Sequence, residues 1–551
     1  MPYAIGIDLG TTNSCVSVFR NNSLETIASE QGSRTTPSMV GFSHDSEELF
    51  IGTSARLQRS DNPENTIYAA KRLIGRRYDD KEIASLVSEY PFTVINNDSK
   101  PLFKVTYNRK PFTISPVEIS AHIIGYLKTS AESYLGEEVK HCVITVPANF
   151  GDSERQATRD AAAFAGLEVL SIINEPTAAG IAFKHLREEE EDSKVVIFDF
   201  GGGTFDVSVL EISGSNINII ASDGNSHLGG VDIDKKLIDY SVDQFKAANA
   251  GSDPTRNKEA MSRLAVECEK AKEQLSTAQE FFMEVTNLHN GFDFDYEITR
   301  PELDRICNDL YQSCLGLVNH TLEAKGLEPS DIDHVIMIGG SSRIPKLHEL
   351  ITDRFGKAPL QVADPDEAVA SGAAIRAHFL LQQKLKQSQS TVQPSESRLV
   401  IESPKIEVFE EPVDVITLND VLTNSFSTDV ESGVSILLRK NTTLPCCCTK
   451  RYATVKDNQP CVSIKIFEGE SPKWADNTEL GQFNLPVTPA PARSVMVEVT
   501  FSVDVNGILS VTAIELGGNS KKSITIGNEN TQYSKVEIDE ELFRRLQQNL
   551  R

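Results

Sequence analysis

The stretch Phe198-Asp199-Phe200-Gly201-Gly202-Gly203-Thr204-Phe205-Asp206 follows Lys194–Phe198, a run dense in β-branched and apolar residues that reads as a strand. It sets a carboxylate at a strand end, then glycines, then a hydroxyl. Asp8-Leu9-Gly10-Thr11-Thr12 repeats the design after a second strand candidate, Tyr3–Ile7. Glycine lets the chain turn tightly and lets backbone N–H groups approach a phosphate with no Cβ in the way. Threonine adds a donor to phosphate oxygen, and an aspartate can hold a hydrated Mg²⁺. Two copies, one in each half of an α/β region, point to two lobes facing each other across a nucleotide. Neither GxxxxGK followed by Ser or Thr nor GxGxxG occurs, which argues against P-loop and Rossmann folds. A third strand-then-glycine element, Val335–Ile338 followed by Gly339-Gly340-Ser341-Ser342-Arg343, suits the nucleoside, with the Arg343 guanidinium stacked on the base.

Outward from these loops, residues 1–382 alternate strand-like segments with helical ones. Further strand candidates are His141–Val146 and His334–Ile338. Helical candidates are Ser153–Leu167, Arg256–Leu275 and Pro301–Ala324. A polar linker rich in Gln, Ser, Pro and Glu is expected over 383–417, and short alternating runs over 418–532 predict an all-β sandwich. In 533–551, Ile538, Leu542, Leu546 and Leu550 recur every four residues and predict a short amphipathic helix, opened by Ser534 and Glu537 as a capping box. Glu188–Asp192 reads as a solvated acidic loop.

The chain has 551 residues, so several domains are expected. Its net charge of −25 argues against a nucleic-acid partner, which calls for a basic face. No apolar run reaches the roughly 20 residues of a membrane-spanning helix. Nine cysteines without a CxxC pair fit a reducing, cytoplasmic setting. The neighbours Cys446, Cys447 and Cys448 read as strand thiols, since successive strand residues point to opposite faces.

The phosphate loops resemble those of the actin–hexokinase–chaperone ATPase superfamily. Within it, the chain is similar to the 70-kDa heat-shock chaperones through Gly6–Val16, Asn62–Arg77, Val143–Phe150, Ile172–Phe183 and Phe198–Leu210, and through His227–Asp234, Ile338–Lys346 and Asp364–Ala374. Asp457–Glu470 and Asp504–Ala513 resemble the family's peptide-binding β-sandwich. The resemblance implies an actin-like two-lobed ATPase domain, then the sandwich. It implies ATP/ADP, Mg²⁺ and K⁺ as cofactors, and slow hydrolysis controlling the grip on extended apolar segments of unfolded or nascent polypeptides. By motif, Asp8 and Asp199 would organise the Mg²⁺ waters, and Thr11, Thr12 and Thr204 would bind the β- and γ-phosphates. Lys71 would assist the attacking water, with Glu175 and Asp206 completing the metal and potassium shell. Gly10, Gly201, Gly202, Gly203, Gly339 and Gly340 would supply loop backbone. Glu269, Lys272, Ser276, Ser341 and Arg343 would line the adenosine pocket, and Asp366 would close it. Val462 would sit in the apolar pocket that takes a leucine-like side chain. J-domain proteins and nucleotide-exchange factors are the partners implied.

Four departures stand out. Glu273 occupies the place of an arginine that stacks on adenine. Ser171 replaces the arginine that meets the acidic signature of J-domain proteins, which argues against ordinary stimulation; the relay residues Pro147 and Arg155 are present. The linker Asp414–Asp420 is interrupted by Thr417 and Asn419, so weak docking is expected. Finally, 533–551 leaves room only for a truncated lid, so peptide should leave quickly. A competing reading follows: an ATP-binding partner subunit, not itself a foldase, that regulates another chaperone or a ribosome-associated complex. A sugar or polyol kinase of the superfamily fits less well, because of the β module.

Overall fold

The computed structural model describes residues 2–187, 192–360, 364–390, 417–431, 433–518 and 520–525. The expected helix of 533–551 and the acidic residues 188–191 lie outside them. The β-branched runs form the strands expected of them. Ala4–Asp8, His141–Val146 and Ser193–Phe200 are inner strands, and these and His334–Ile338 at a sheet end are buried on nearly every residue. Such continuous burial is what two-sided coverage by helices demands of parallel strands.

Two sheets carry the first domain. In one, Ala4–Asp8 runs parallel to His141–Val146, which runs parallel to Glu168–Asn174, while Asn13–Arg20 returns antiparallel. In the other, Ser193–Phe200 lies between His334–Ile338, parallel, and Phe205–Ser213, antiparallel. The sheets are thus two versions of one layout, with an aspartate last in one leading strand (Asp8) and next to last in the other (Asp199). Between them lie the helices Glu175–Leu186 and Ala368–Ser390, packed in one apolar cluster with Ala4, Val143, Ile197 and Ile336. Glycine sets the closeness: a Cβ on Gly372 would lie 1.7 Å from the Ala178 carbonyl oxygen.

The second domain is a sandwich of two four-stranded sheets. Ile466, Leu485, Phe501, Leu509 and Val511 fill its core at 0% exposure. Cys446, Cys447 and Cys448 alternate faces on the strand Cys446–Ala453, and all nine cysteines are free.

The linker corrects the sequence reading at its start. The polar stretch begins as helix, because Ala368–Ser390 runs eight residues past the expected boundary at 382. Its Gln and Lys residues are good helix formers, and Lys384 pairs with Glu168 of the neighbouring sheet edge at 2.6 Å. Further on, Thr417–Asn419 is a strand that pairs parallel with Asn216–Asn225, so the segment is docked. The polar interruption does not prevent this. Leu418 pairs with Ile217, and Asn419 donates to the Asn218 side chain at 2.7 Å.

Beyond that strand the domains meet directly. Asp420 accepts from Asn174 and Thr177 at 2.8 and 3.0 Å. Asn506 accepts from the Ser171 hydroxyl and the Ile172 N–H at 3.0 and 3.2 Å. Lys440 donates to Asp223 at 2.9 Å, and the Leu509 N–H donates to Asp152 at 2.8 Å. Phe501→Ala should destabilise the sandwich by about 3–5 kcal/mol, the usual cost of emptying a filled core site. Denaturant unfolding checks this, with nucleotide affinity of the first domain unchanged.

Candidate functional site

Asp199 stands across the hairpin ladder from Asp206, and the Gly201–Thr204 turn is closed by the Gly201 N–H on the Thr204 carbonyl at 3.0 Å. Asp8 ends its own strand opposite Thr145, whose hydroxyl donates to it at 3.4 Å. The two loops face each other: a Cβ on Gly202 would lie 2.0 Å from the Thr12 hydroxyl, and one on Gly203 2.6 Å from Thr11. A Cβ on Gly10 would strike the Asn13 carbonyl at 1.9 Å. Side chains are excluded from this cradle by backbone and hydroxyls alike.

Lys71 enters on a 3-10 turn, Ala70–Arg72, that follows Ala69 in the left-handed region at φ 52°. Its Nζ donates to Glu175 at 2.7 Å and lies 5.5 Å from the Phe150 ring centroid. Glu175 is the first residue of its helix, and both partners are nearly inaccessible. Burial, then Glu175, pushes the Asp8 carboxyl up to about 7, with Lys71 opposing. The same two causes drive Asp199 well above the carboxylate range, and Asp206 likewise. One oxygen of Asp199 and one of Asp206 are buried without a hydrogen-bond partner. Crowded, unsatisfied carboxylate oxygens beside an open glycine cradle are the donor set that a hydrated Mg²⁺ and a polyphosphate fit.

The other end of the cleft is assembled by the helix Lys258–Gln274, capped by Asn257 on the N–H groups of Glu259 and Ala260. It presents Glu269 and Lys272; Ser276 lies just past its end, half-buried. Lys272 donates to Asp234 at 2.8 Å and reaches the Gly230 carbonyl. Ser341 donates to the Gly201 carbonyl at 2.9 Å, tying the third glycine element to the second. Gly339 holds φ 81°, and Gly340 lies against Asp366. Arg343 is held by Asp364 and Asp366 at 2.5 and 2.8 Å. Thus the predicted nucleotide residues converge on one cleft. Val462 lies apart, half-buried against the sandwich core and opposite Leu485.

Sequence reasoning missed the bridge across this cleft. Arg59, on the first lobe, donates to Glu269 of the second at 2.8 Å, and its guanidinium stacks 4.2 Å from the Tyr68 ring. Burial raises the Glu269 carboxyl, but Arg59, Lys272 and Arg56 outweigh it and hold it below the ordinary range. Arg56 also stands 4.0 Å from Glu273. Nothing local marks Arg59; only the fold brings it to Glu269.

Two mirrored lobes closing on a phosphate cradle, joined to a docked β-sandwich, define a two-domain nucleotide-dependent protein. The Hsp70 protein family profile matches residues 4–549. The chain is 41% identical over 541 residues to heat shock 70 kDa protein 2 of Paracoccidioides lutzii, covering 98% of this chain and 79% of that one. It is 42% identical over 542 residues to heat shock 70 kDa protein of Neurospora crassa, covering 98% and 80%. Against heat shock 70 kDa protein of Trichophyton rubrum it is 41% identical over 542 residues, covering 98% and 79%. The chain belongs to the Hsp70 family of ATP-binding chaperones.

Arg59→Ala should speed nucleotide release about tenfold or more, because it removes one partner of a nearly buried pair that spans the lobes. Stopped-flow release of a fluorescent ATP analogue measures it; an unchanged rate would mean the bridge does not hold the cleft shut.

Proposed function

We propose that the chain is an ATP-hydrolysing chaperone that binds extended apolar segments of unfolded or nascent polypeptides, hydrolysis setting the grip. The carrying observation is the Lys71–Glu175 pair at 2.7 Å among the strand-end carboxylates Asp8, Asp199 and Asp206. Bound ATP with Mg²⁺ supplies the transferable phosphoryl group and the positive charge this carboxylate set lacks. Asp8 and Asp199 would hold the hydrated metal, with Glu175 and Asp206 completing the carboxylate set that Mg²⁺ and K⁺ would neutralise. Thr11, Thr12 and Thr204 donate hydroxyls to phosphate oxygens, with Gly10 and Gly201–Gly203 adding backbone N–H groups. Lys71, fixed by Glu175, orients the attacking water and meets the charge that develops; such chemistry is mostly positioning and electrostatics. Glu269, Lys272, Ser276, Gly339, Gly340, Ser341, Arg343 and Asp366 surround the nucleoside.

In the sandwich, Val462 anchors one apolar side chain of a peptide bound through its backbone. Docking of Thr417–Asn419 on the sheet that carries Asp199 gives the sites a physical connection. A cytoplasmic setting fits nine free cysteines, and among the described residues no helix is long and apolar enough to cross a membrane. Exchange factors and J-domain proteins are the co-chaperones of this reading.

A partner-subunit role, with ATP as a structural ligand, is favoured by Ser171, whose hydroxyl is engaged by Asn506. Single-turnover hydrolysis separates the two. Lys71→Ala is expected to cut the rate by roughly a hundredfold or more while ATP still binds; tight binding without turnover in the wild-type chain would favour the partner subunit. Val462→Phe should weaken binding of a leucine-containing peptide by about tenfold or more with basal hydrolysis retained, read by fluorescence anisotropy. Ser171→Arg should raise stimulation by a J-domain protein, and equal stimulation of both forms would sink that assignment.

A further inference from the structure

The contact between the two domains contains an excess of buried carboxylates that the nucleotide site does not use. Glu468 ends the strand Cys461–Glu468 and is 9% exposed. One of its oxygens accepts from Asn424 at 3.0 Å. The other points at Gly151 of the ATPase domain. A Cβ on Gly151 would lie 2.6 Å from that oxygen and 2.9 Å from an oxygen of Glu154. Two carboxylates from different domains therefore flank one point, and only a glycine leaves room for both. Beside them Asp152 is 1% exposed. One of its oxygens takes the Leu509 N–H across the interface, and the other is buried without a partner.

The countercharge is insufficient. Arg155 spends its donors on the Phe150 and Ala148 carbonyls and on Asn174, at 2.9, 3.2 and 2.6 Å, and its side chain lies over Gly507. It also faces Asp420. Arg76 stands 3.7 Å from Glu154 but is shared with Asp80 at 3.4 Å. Asp80, Asp152, Glu154, Asp420 and Glu468 thus face two guanidinium groups. Burying that surplus charge unpaired is prohibitive, and a carboxylate so placed takes up a proton instead.

We propose that docking of the sandwich on the ATPase domain is coupled to proton uptake at the Asp152–Glu154–Glu468 cluster, so that acidification tightens the docked arrangement and alkalinisation loosens it. Burial first, then Glu154, brings the Glu468 carboxyl up to about 7. Burial also drives Asp152 well above its ordinary range, with Glu468 and Glu154 adding to it. When the domains separate, Glu468 returns to water and to about 4.3. Between those values the docked form holds more protons, so docking weakens as pH rises, by up to about tenfold per pH unit per proton. Above about 7 Glu468 is ionised in both forms and its contribution to the pH dependence ends.

The inference concerns the domain contact and stands whether or not ATP is hydrolysed. Small-angle X-ray scattering on the full chain with a non-hydrolysable ATP analogue and Mg²⁺ tests it at pH 6, 7 and 8. Amide exchange at Leu509, corrected for its intrinsic rate, is read alongside. The wild-type chain is expected to be compact at pH 6, with an extended population growing through pH 7. Glu468→Gln should stay compact throughout. Glu154→Gln, which removes the facing charge, should shrink the pH effect and serves if the first variant fails to fold. Equal docking of the wild-type chain at pH 6 and 8 would overturn the proposal. So would a pH response undiminished in both variants.

Discussion

Four carboxylates, those of Asp8, Glu175, Asp199 and Asp206, are gathered at the base of one cleft, and Lys71 is the cation bonded among them. That imbalance is the constraint on which the architecture depends. Charges so close are tolerable only when most are neutralised, by protons or by an incoming cation. The strands must end where they do to put each carboxylate in place, and the loops must be glycine to leave the volume above them free. The helices Glu175–Leu186 and Ala368–Ser390 then seal the back of both sheets. A site built this way is unfinished alone, and its ligand completes its electrostatics.

The same strands carry the connection between domains. Asn174 immediately precedes Glu175. Its side chain accepts from Arg155 at 2.6 Å and donates to Asp420 at 2.8 Å. Asp420 follows the strand that closes the second sheet. A displacement of Glu175, or of the lysine it holds, is therefore one residue away from the hydrogen bonds that anchor the sandwich. Such contiguity puts the nucleotide cleft and the domain contact in one hydrogen-bonded network, the physical route that coupling between them requires.

How legible this was in the sequence follows from how local each signal is. The phosphate loops were readable because strand, carboxylate, glycine and hydroxyl lie within a few residues, and Gly10, Gly202 and Gly203 answer close approaches that the fold makes. The strand Thr417–Asn419 was not readable, since three residues with a polar interruption carry no periodicity. Only its partner Asn216–Asn225 makes it a strand. The helical start of the linker was hidden by composition, because Gln, Lys and Ser serve a solvated helix as well as a coil. Asn506 was invisible for a different reason. The sequence reading sees in Ser171 only a missing arginine, whereas the structure gives its hydroxyl a neutral partner, Asn506, 335 residues away in the other domain.

Glu273 is a second departure, at the nucleotide cleft. The family resemblance puts an arginine there, stacked on adenine, a contact of about 1–2 kcal/mol. The glutamate gives that up and faces Arg56 at 4.0 Å, with both side chains about half exposed. An exposed pair at that distance contributes about 1 kcal/mol at most. On its own the substitution therefore weakens the hold on the base. Arg59 and Glu269, at 2.8 Å and nearly buried, meet between the same two segments and need no base between them. Retention of nucleotide then rests more on keeping the lobes closed than on gripping the adenine. A cleft held that way would be governed by whatever separates the lobes, because the Arg59–Glu269 pair spans them.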